Sequence, residues 1–338
     1  MTRTFRSVCY GVAAVIFLTV ESARPATATE TLDQVRKRGQ LLCGVSQGLT
    51  GFSKRVLGKG WTGFDVDFCR AVAAAVFNNA RKVKFIPLSP TERFAALLNG
   101  EIDVLSRNTT WTMTRDVVQD LDFVGISYFD VQGFMAAEKS GIKSARQMKD
   151  QVICALKGTT LEGNIRRFLD RGRIKANILL SNERTAVRRN YERGRCAIYA
   201  SDLSALAGER TLLAEPSEHV FLPEVLSKEP LGPVVRSTDP KWRELLQWVL
   251  YLLINAEEAE WTAERAKTAN APAKIIVPQK ATARLKLRVE WARAVISAVG
   301  NYGEIFDRNL GAGSDLEMKR GLNALWVKGG LLYAPPIR

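Results

Sequence analysis

Residues 101–116, EIDVLSRNTTWTMTRD, hold the densest run of groups able to do chemistry. Ser106, Arg107, Asn108, Thr109 and Thr110 follow one another with no apolar residue between them, and Thr112, Thr114 and Arg115 come next. Clustered hydroxyls, backbone N–H groups and an arginine suit a small carboxylate, because the guanidinium offers its donors in a fixed fork that fits two carboxylate oxygens. The plainer alternative is that Thr110 and Thr112 cap the following helix and Arg115 faces solvent.

Two later sites complement this one. Gly158, Thr159 and Thr160 stand at the start of a helical pattern, where unpaired N–H groups favour an anion. Ser201 and Asp202 end the apolar run 196–200 just ahead of another helix. An α-amino acid zwitterion needs a cation for its carboxylate and an anion for its ammonium, and Arg115 with Asp202 on opposite walls of a cleft supplies both. A ligand bonded to both walls favours the closed state, since only that state makes both contacts. Charge-assisted hydrogen bonds contribute about 1.5–3 kcal/mol each. A few of them, with burial, reach the roughly −8 kcal/mol of micromolar affinity. Asp202, Thr159 and Thr160 are also residue types that simply cap helices, and each taken alone reads that way first.

The elements that must hold these groups follow from apolar patterning. Residues 41–45 (LLCGV), 83–88 (VKFIPL) and 102–105 read as short buried strands. Helices over 66–77, capped by Asp65, and over 91–98 separate them. A second unit repeats the theme: strands at 152–156, 178–180 and 196–200 alternate with helices at 161–169, 185–191 and 203–207. Strand–helix–strand order predicts a parallel sheet flanked by helices, and ligands sit at the carboxyl ends of such strands. Residues 122–136 and 229–235 are extended by composition and flank the second unit as two crossings between lobes. Residues 242–254 and 287–299 read as helices, while 256–286 is Ala/Lys-rich and shows no clear pattern.

Residues 1–28 read as a cleaved secretory signal peptide. Arg3 and Arg6 precede an apolar stretch broken by Tyr10, Gly11 and Thr19, and Ala26-Thr27-Ala28 forms an A-x-A cleavage site. The stretch is too short to span a membrane comfortably, and Cys9 lacks the small-residue context of a lipid-attachment site. The leader carries Arg3, Arg6 and Arg24 against Glu21, so the mature chain keeps +12 of the formal +14. The basic residues are scattered and not interleaved with aromatics, which speaks against a nucleic-acid partner. Cys43, Cys69, Cys154 and Cys196 remain after cleavage. An even number in an oxidising compartment implies disulfides. Three pairings are open, and chain order favours Cys43–Cys69 with Cys154–Cys196, one in each lobe. No CxxC spacing occurs and His219 is the single histidine, so no metal site and no cofactor are expected. His219 has no nucleophile motif beside it, and GxSxG and Walker-type loops are absent, which leaves hydrolytic and phosphate chemistry without support.

At these residues the chain resembles a known family. GFDVDFCRAVA (63–73), ERFAALLNGEIDVLSRNTTWTMTRD (92–116), LDFVGISYFDVQGFM (121–135), LKGTTLEGN (156–164) and YASDLSAL (199–206) are similar to the polar-amino-acid solute-binding proteins of ABC importers. CGVSQGLTGF (43–52), SKEPLGPVVR (227–236), AVGNYGEIFDRNLG (298–311) and GLNALWVKGGLLYAPPIR (321–338) point to the periplasmic general L-amino-acid-binding branch. The resemblance covers nearly all of the mature chain. Residues 256–297 match this branch's extension, which shorter relatives lack.

The resemblance implies an α/β, two-lobed periplasmic binding protein fold (type II), with parallel-sheet lobes joined by two crossing strands. Residues 29–134 and 231–338 would form the first lobe and 135–230 the second. It further implies hinged closure over one amino acid, delivery to an ABC transporter membrane permease, a periplasmic location, a monomer and no enzymatic activity. By position, Arg115 matches the family's carboxylate-binding arginine, and Thr110 a hydroxyl and N–H donor to the same carboxylate. Asn108 matches a backbone acceptor for the amino group, Thr160 a second-lobe donor and Asp202 the ammonium partner. Leu156 and Thr159 match pocket walls. Single-substrate relatives carry an acidic residue and an aromatic in the first loop, where Ser46 and Leu49 stand here, and a further pocket aromatic falls near Pro90. Fewer fixed groups imply a roomier pocket and broad specificity, with Arg107 either adding a cation for acidic side chains or facing solvent. The rival readings are a periplasmic enzyme on the same fold, of the cyclohexadienyl dehydratase type, and a receptor's sensor domain. The first needs an acid or base aimed at a ring substrate, which the sequence does not nominate. The second needs a later membrane span.

Overall fold

The computed structural model describes Met1 and residues 30–338; the leader expected over 1–28 lies, apart from Met1, outside the described residues. Helix α1 (Thr31–Arg38) ends where Gly39 adopts φ +76, a left-handed value that glycine reaches without a side-chain clash. Strand β1 (Leu41–Ser46) follows, then a small hairpin of β2 (Lys54–Val56) and β3 (Gly60–Thr62), and helix α2 (Phe64–Phe77). Asp65 does not cap α2, contrary to the sequence expectation. The helix begins at Phe64 with Gly63 at the cap position, and the buried Asp65 carboxylate turns to the loop at Ser106. Strand β4 (Val83–Leu88), the short helix α3 (Arg93–Leu98) and strand β5 (Val104–Leu105) complete the first unit.

Strand β6 (Leu121–Phe123) leads into the ten-residue β7 (Tyr128–Ala137), which carries the chain into the second lobe. There β8 (Val152–Leu156), α4 (Leu161–Gly172), β9 (Asn177–Ser181), α5 (Arg184–Glu192), β10 (Ile198–Asp202) and α6 (Leu203–Arg210) alternate. After β11 (His219–Phe221), β12 (Ser227–Leu231) returns the chain to the first lobe and β13 (Val234–Arg236) joins its sheet.

The first sheet has the order β4-β1-β5-β13-β6 and the second β11-β7-β10-β8-β9, with β12 also on β7. In each, the strands of the alternating unit are parallel: β1 to β4 and β5, β8 to β9 and β10. The sheets are mixed and not wholly parallel, because β7 and β13 pair antiparallel with their neighbours. These strands arrive from the other lobe and need no helical crossover to reach their place. The two crossings lie side by side, β7 against β12, from Tyr128 opposite Leu231 to Gln132 opposite Ser227.

Each lobe buries its own apolar core, and each is stapled internally. Cys43 on β1 joins Cys69 on α2, and Cys154 on β8 joins Cys196 just before β10. This is the pairing that chain order favours. Among the described residues, no helix is long and apolar enough to cross a membrane.

Asp239 caps the long helix α7 (Pro240–Glu258) by accepting from the Trp242 N–H at 2.9 Å. The stretch that sequence pattern left open folds as α8 (Ala263–Thr268) and α9 (Gln279–Arg284), held to the first lobe by the buried Trp261, Ala266 and Ile275. Helix α10 begins at Trp291, after a left-handed turn at Lys286, and not at residue 287 as expected; it runs to Val299 and packs on α2. Beyond α11 (Tyr302–Asn309) the tail reaches the crossings. Asn323 pairs with Phe129 as a strand would, accepting from its N–H at 2.7 Å and donating to its carbonyl at 3.0 Å. The Tyr302 hydroxyl donates to the Ser127 carbonyl at 2.8 Å.

Candidate functional site

The loop after β5 forms one wall between the lobes. Asp65 sets its path, accepting from the Asn108 N–H at 3.0 Å and the Ser106 hydroxyl at 3.2 Å. Asn108 takes φ +31, which asparagine tolerates better than most residues. Arg115 lies in a five-residue π-turn, Thr114–Val118, a distortion that recurs at functional sites. It is buried rather than solvated. Its Nη1 donates to the Thr110 carbonyl at 2.7 Å, and the guanidinium lies 5.2 Å from the Phe94 ring centre. The capping alternative holds for Thr112, whose hydroxyl accepts from the Arg115 N–H at 3.3 Å. It does not describe Thr110, whose hydroxyl donates to Glu229 at 2.6 Å.

The facing wall is built from the end of β8 and the starts of α4 and α6. Thr159 closes the α4 start: it donates to the Leu156 carbonyl at 2.9 Å and accepts from the Leu161 N–H at 3.3 Å. Thr160 holds the cap position without a capping bond; its hydroxyl donates to Glu229 at 3.0 Å and accepts from Gln132 Nε2 at 2.9 Å. Asp202 likewise stands at the α6 cap without capping, and accepts from Gln132 Nε2 at 3.0 Å.

The floor is the pair of crossing strands. Gln132 on β7 and Glu229 on β12 project to the same face. Asn164 and Ser227 complete their hydrogen bonds, donating to Gln132 Oε1 at 2.7 and 3.1 Å and to Glu229 Oε1 at 3.0 and 2.6 Å. Through Oε2, Glu229 therefore ties Thr110 of one lobe to Thr160 of the other.

The narrow cavity between these walls has a volume of about 380 Å3, counted out to its mouth. Asn108, Thr110, Arg115, Leu156, Thr159, Thr160 and Asp202 all line it. Ser46 and Leu49 do not: the Ser46 N–H donates to Ser53 Oγ at 3.0 Å, and Leu49 is sealed in the first lobe's core. Arg107 lines the cavity and is buried, so it does not face solvent. Sequence reasoning did not single out Gln132, Glu229, Asn164, Arg93 or Arg184. A lone Gln and a lone Glu inside segments read as extended crossings were the available signal.

Burial governs the electrostatics. It raises the Asp202 carboxyl above the usual range, helped by the nearby Glu229 charge and opposed by hydrogen bonds from Gln132 and Asn108. Asp130 is raised by burial and by Asp202. Asp65 is pushed up to about 7 by burial. Burial lowers Arg115, with Glu229 and Asp202 pulling the other way. Arg107 is brought down to about 9 by burial and by the Arg184 charge. A buried cation faced by a half-buried carboxylate across a narrow space is an arrangement that a zwitterion neutralises on both sides.

The two lobes approach closely at two glycines, the exposed Gly158 and the buried Gly208. A Cβ on Gly158 would lie 2.8 Å from Thr91 Cγ2, and one on Gly208 would lie 2.9 Å from the Thr50 carbonyl.

Known proteins resemble this chain over most of its length. A family model described as bacterial extracellular solute-binding proteins, family 3, matches residues 41–312. The general L-amino acid-binding periplasmic protein of Rhizobium johnstonii is 45% identical, over 94% of this chain and 95% of its own. The glutamate/glutamine/aspartate/asparagine-binding protein of Rhodobacter capsulatus is 41% identical, over 93% and 95%. An ABC transporter periplasmic binding protein from Brucella ovis, solved with glutathione bound, superposes with a TM-score of 0.88 at 44% identity, covering 92% of this chain and all of that one.

Proposed function

Since the chain belongs to family 3 of the bacterial extracellular solute-binding proteins, we propose that it is a periplasmic receptor that closes over L-amino acids of broad range and hands them to an ABC transporter permease. The carrying observation is the cavity between the lobes, with the Arg115 cation and Thr110 on one wall and the Asp202 carboxylate and Thr160 on the other. In this reading Arg115 and Thr110 hold the α-carboxylate from the first lobe, and Thr160 adds a donor from the second. Asp202 and the Asn108 backbone hold the ammonium, while Leu156 and Thr159 form walls. Only the closed state makes both sets of contacts, so binding energy becomes closure energy. The names of the Rhizobium and Rhodobacter relatives support an amino-acid ligand, and the shared two-lobed form supports delivery to a permease.

In the same reading, residues 29–134 with 231–338 act as one body and 135–230 as the other, the leader is removed on export, and the mature protein works as a monomer without catalysis. Calorimetric titration of the ligand-stripped mature protein with the twenty L-amino acids, one at a time, tests the proposal. Micromolar or tighter binding of several polar amino acids, with weak binding of their D-enantiomers, is the expected outcome. No binding, together with consumption of prephenate or arogenate, would replace it with the enzyme reading.

A further inference from the structure

The second lobe carries a groove that shares no lining residue with the cavity between the lobes. Its volume is about 1560 Å3, counted out to its mouth. Phe168, Ile174 and Leu226 form an apolar floor, each half-buried against that lobe's core. Five cations stand round it: Arg167 and Arg171 on α4, Arg173 just past its end, Arg146 in the turn Ala145–Met148 and Lys149 just after it. All five are exposed, and among the described residues none takes part in an ion pair. Arg166 on the same helix, outside the groove, pairs with Glu162 at 3.0 Å. Glu224 is the one carboxylate lining the groove, and it accepts from the Ser144 hydroxyl at 2.5 Å.

Helix electrostatics do not account for this set. The C-terminus of α4 favours cations at Arg171 and Arg173, but Arg146 and Lys149 belong to another segment. Arg173 also holds φ +52, a left-handed value for which glycine is the usual occupant. Like charges crowded round one concavity repel each other, and its low-dielectric walls focus their field inward. Over an apolar floor, that field is complementary to carboxylates interspersed with apolar side chains. A nucleic-acid backbone would leave the floor uncovered, and a flat lipid surface would not reach it.

The groove also touches the hinge. Arg167 donates to Asn164 Oδ1, and Asn164 lines the groove. With its oxygen held there, the Asn164 amide turns Nδ2 to Gln132, Ser227 and Glu229 of the crossing strands, at 2.7, 3.0 and 3.0 Å. Glu229 in turn bonds Thr110 of one lobe and Thr160 of the other.

We propose that this groove docks an acidic polypeptide segment, with apolar residues among its carboxylates, and that docking loosens the closed clamp. A carboxylate of the segment competes with Asn164 for Arg167, and a charged acceptor is the stronger partner. The Asn164 amide then loses its fixed orientation, and the tie between the lobes weakens. Docking stands without the amino-acid-binding reading; its effect on the ligand rests on that reading.

The test uses the full mature protein and a labelled helical peptide of Glu, Leu and Ala, with a control peptide in which every Glu is Gln. Fluorescence anisotropy should show the acidic peptide binding at least about tenfold more tightly than the control, with affinity falling as salt is raised. The double change Arg146→Glu and Arg171→Glu, at exposed positions and with folding checked by circular dichroism, should weaken it by about tenfold or more. With the acidic peptide saturating, calorimetry should show L-glutamine bound about threefold or more weakly, an effect absent in Arg167→Met. Absence of peptide binding, equal binding of both peptides, or binding that the double change leaves intact overturns the docking site. Binding of phosphatidylglycerol vesicles in place of the peptide overturns it too. Peptide binding that leaves glutamine affinity unchanged overturns the link to the hinge and leaves docking standing. Absence of binding by all amino acids overturns the amino-acid reading alone.

Discussion

Arg115 shows how little freedom the site leaves a single residue. Its guanidinium is pinned to the Thr110 carbonyl and laid against Phe94, so the fork of donors is already aimed. Arg115→Ala should weaken every amino acid by about 100-fold, the upper end of a charge-assisted hydrogen bond at about 3 kcal/mol. Arg115→Lys should recover only part, because an ammonium is a point charge without the planar fork. Titration calorimetry against several amino acids reads both, and unchanged affinity in Arg115→Ala would remove the residue from the site. Asp202 gives a pH dependence with a definite sign. Its carboxyl titrates above the usual range because of burial and Glu229. An ammonium needs it ionised, so affinity should fall as pH drops from neutral toward about 5, where an ordinary carboxylate of pKa about 4 is still charged. Binding in that window should release protons, measurable as a buffer-dependent heat. Stability runs the other way. The Asp65 carboxyl is raised in the folded state, so its contribution is full below its unfolded pKa and is lost as pH rises through about 7. Resistance to urea should therefore increase on mild acidification while affinity declines. Asn108, Thr110, Thr159, Thr160 and Asp202 line one cavity because each sits near a strand end, a place the apolar pattern marks; Ser46 also ends a strand but turns to Ser53 instead. Glu229 and Arg93 were not visible in the same way. Their segments read as a crossing and a helix, and nothing local tells which side chain turns inward.

At the scale of elements, the strands of the two alternating units were legible because each is a short apolar run between turn residues, and their helices because their apolar faces repeat. Asp65 was misread because its residue type favours caps, while a tertiary partner, the Ser106–Asn108 loop, outcompetes that local preference. The stretch 256–286 resisted reading for a different reason: its anchors Trp261, Ala266 and Ile275 are too far apart to make a period. The disulfides are the element-scale feature with the clearest energetic consequence. Cys154–Cys196 closes a 42-residue separation wholly within the second lobe. The double change Cys154→Ser and Cys196→Ser should cost about 4 kcal/mol by chain entropy. Urea unfolding should show the loss in that lobe, with ligand specificity intact in the protein that remains folded.

Over the whole molecule, two crossings, a clamp and a seam govern motion. The C-terminal part of the chain grips the first crossing through Asn323 and Tyr302, so residues beyond the 256–297 extension reach the hinge while standing apart from the cavity. One turn along α6 from Ser204, whose hydroxyl donates to Asp130 of the first crossing, Gly208 meets Thr50. Gly208→Ala puts a methyl group against the Thr50 carbonyl where the lobes touch, and overpacking of this kind costs about 1–3 kcal/mol. Affinity should fall by about tenfold or more for every amino acid tested, with the ranking among them unchanged; a changed ranking would show that the seam takes part in recognition.

That seam separates retention from choice. Which passengers are accepted is written in the arginines and carboxylates of the cavity, but how long any of them stays aboard is also set at a contact no passenger touches. A lineage can therefore trade capture from scarce supply against rapid unloading by altering one small residue in the seam, with the vocabulary of the pocket left as it is.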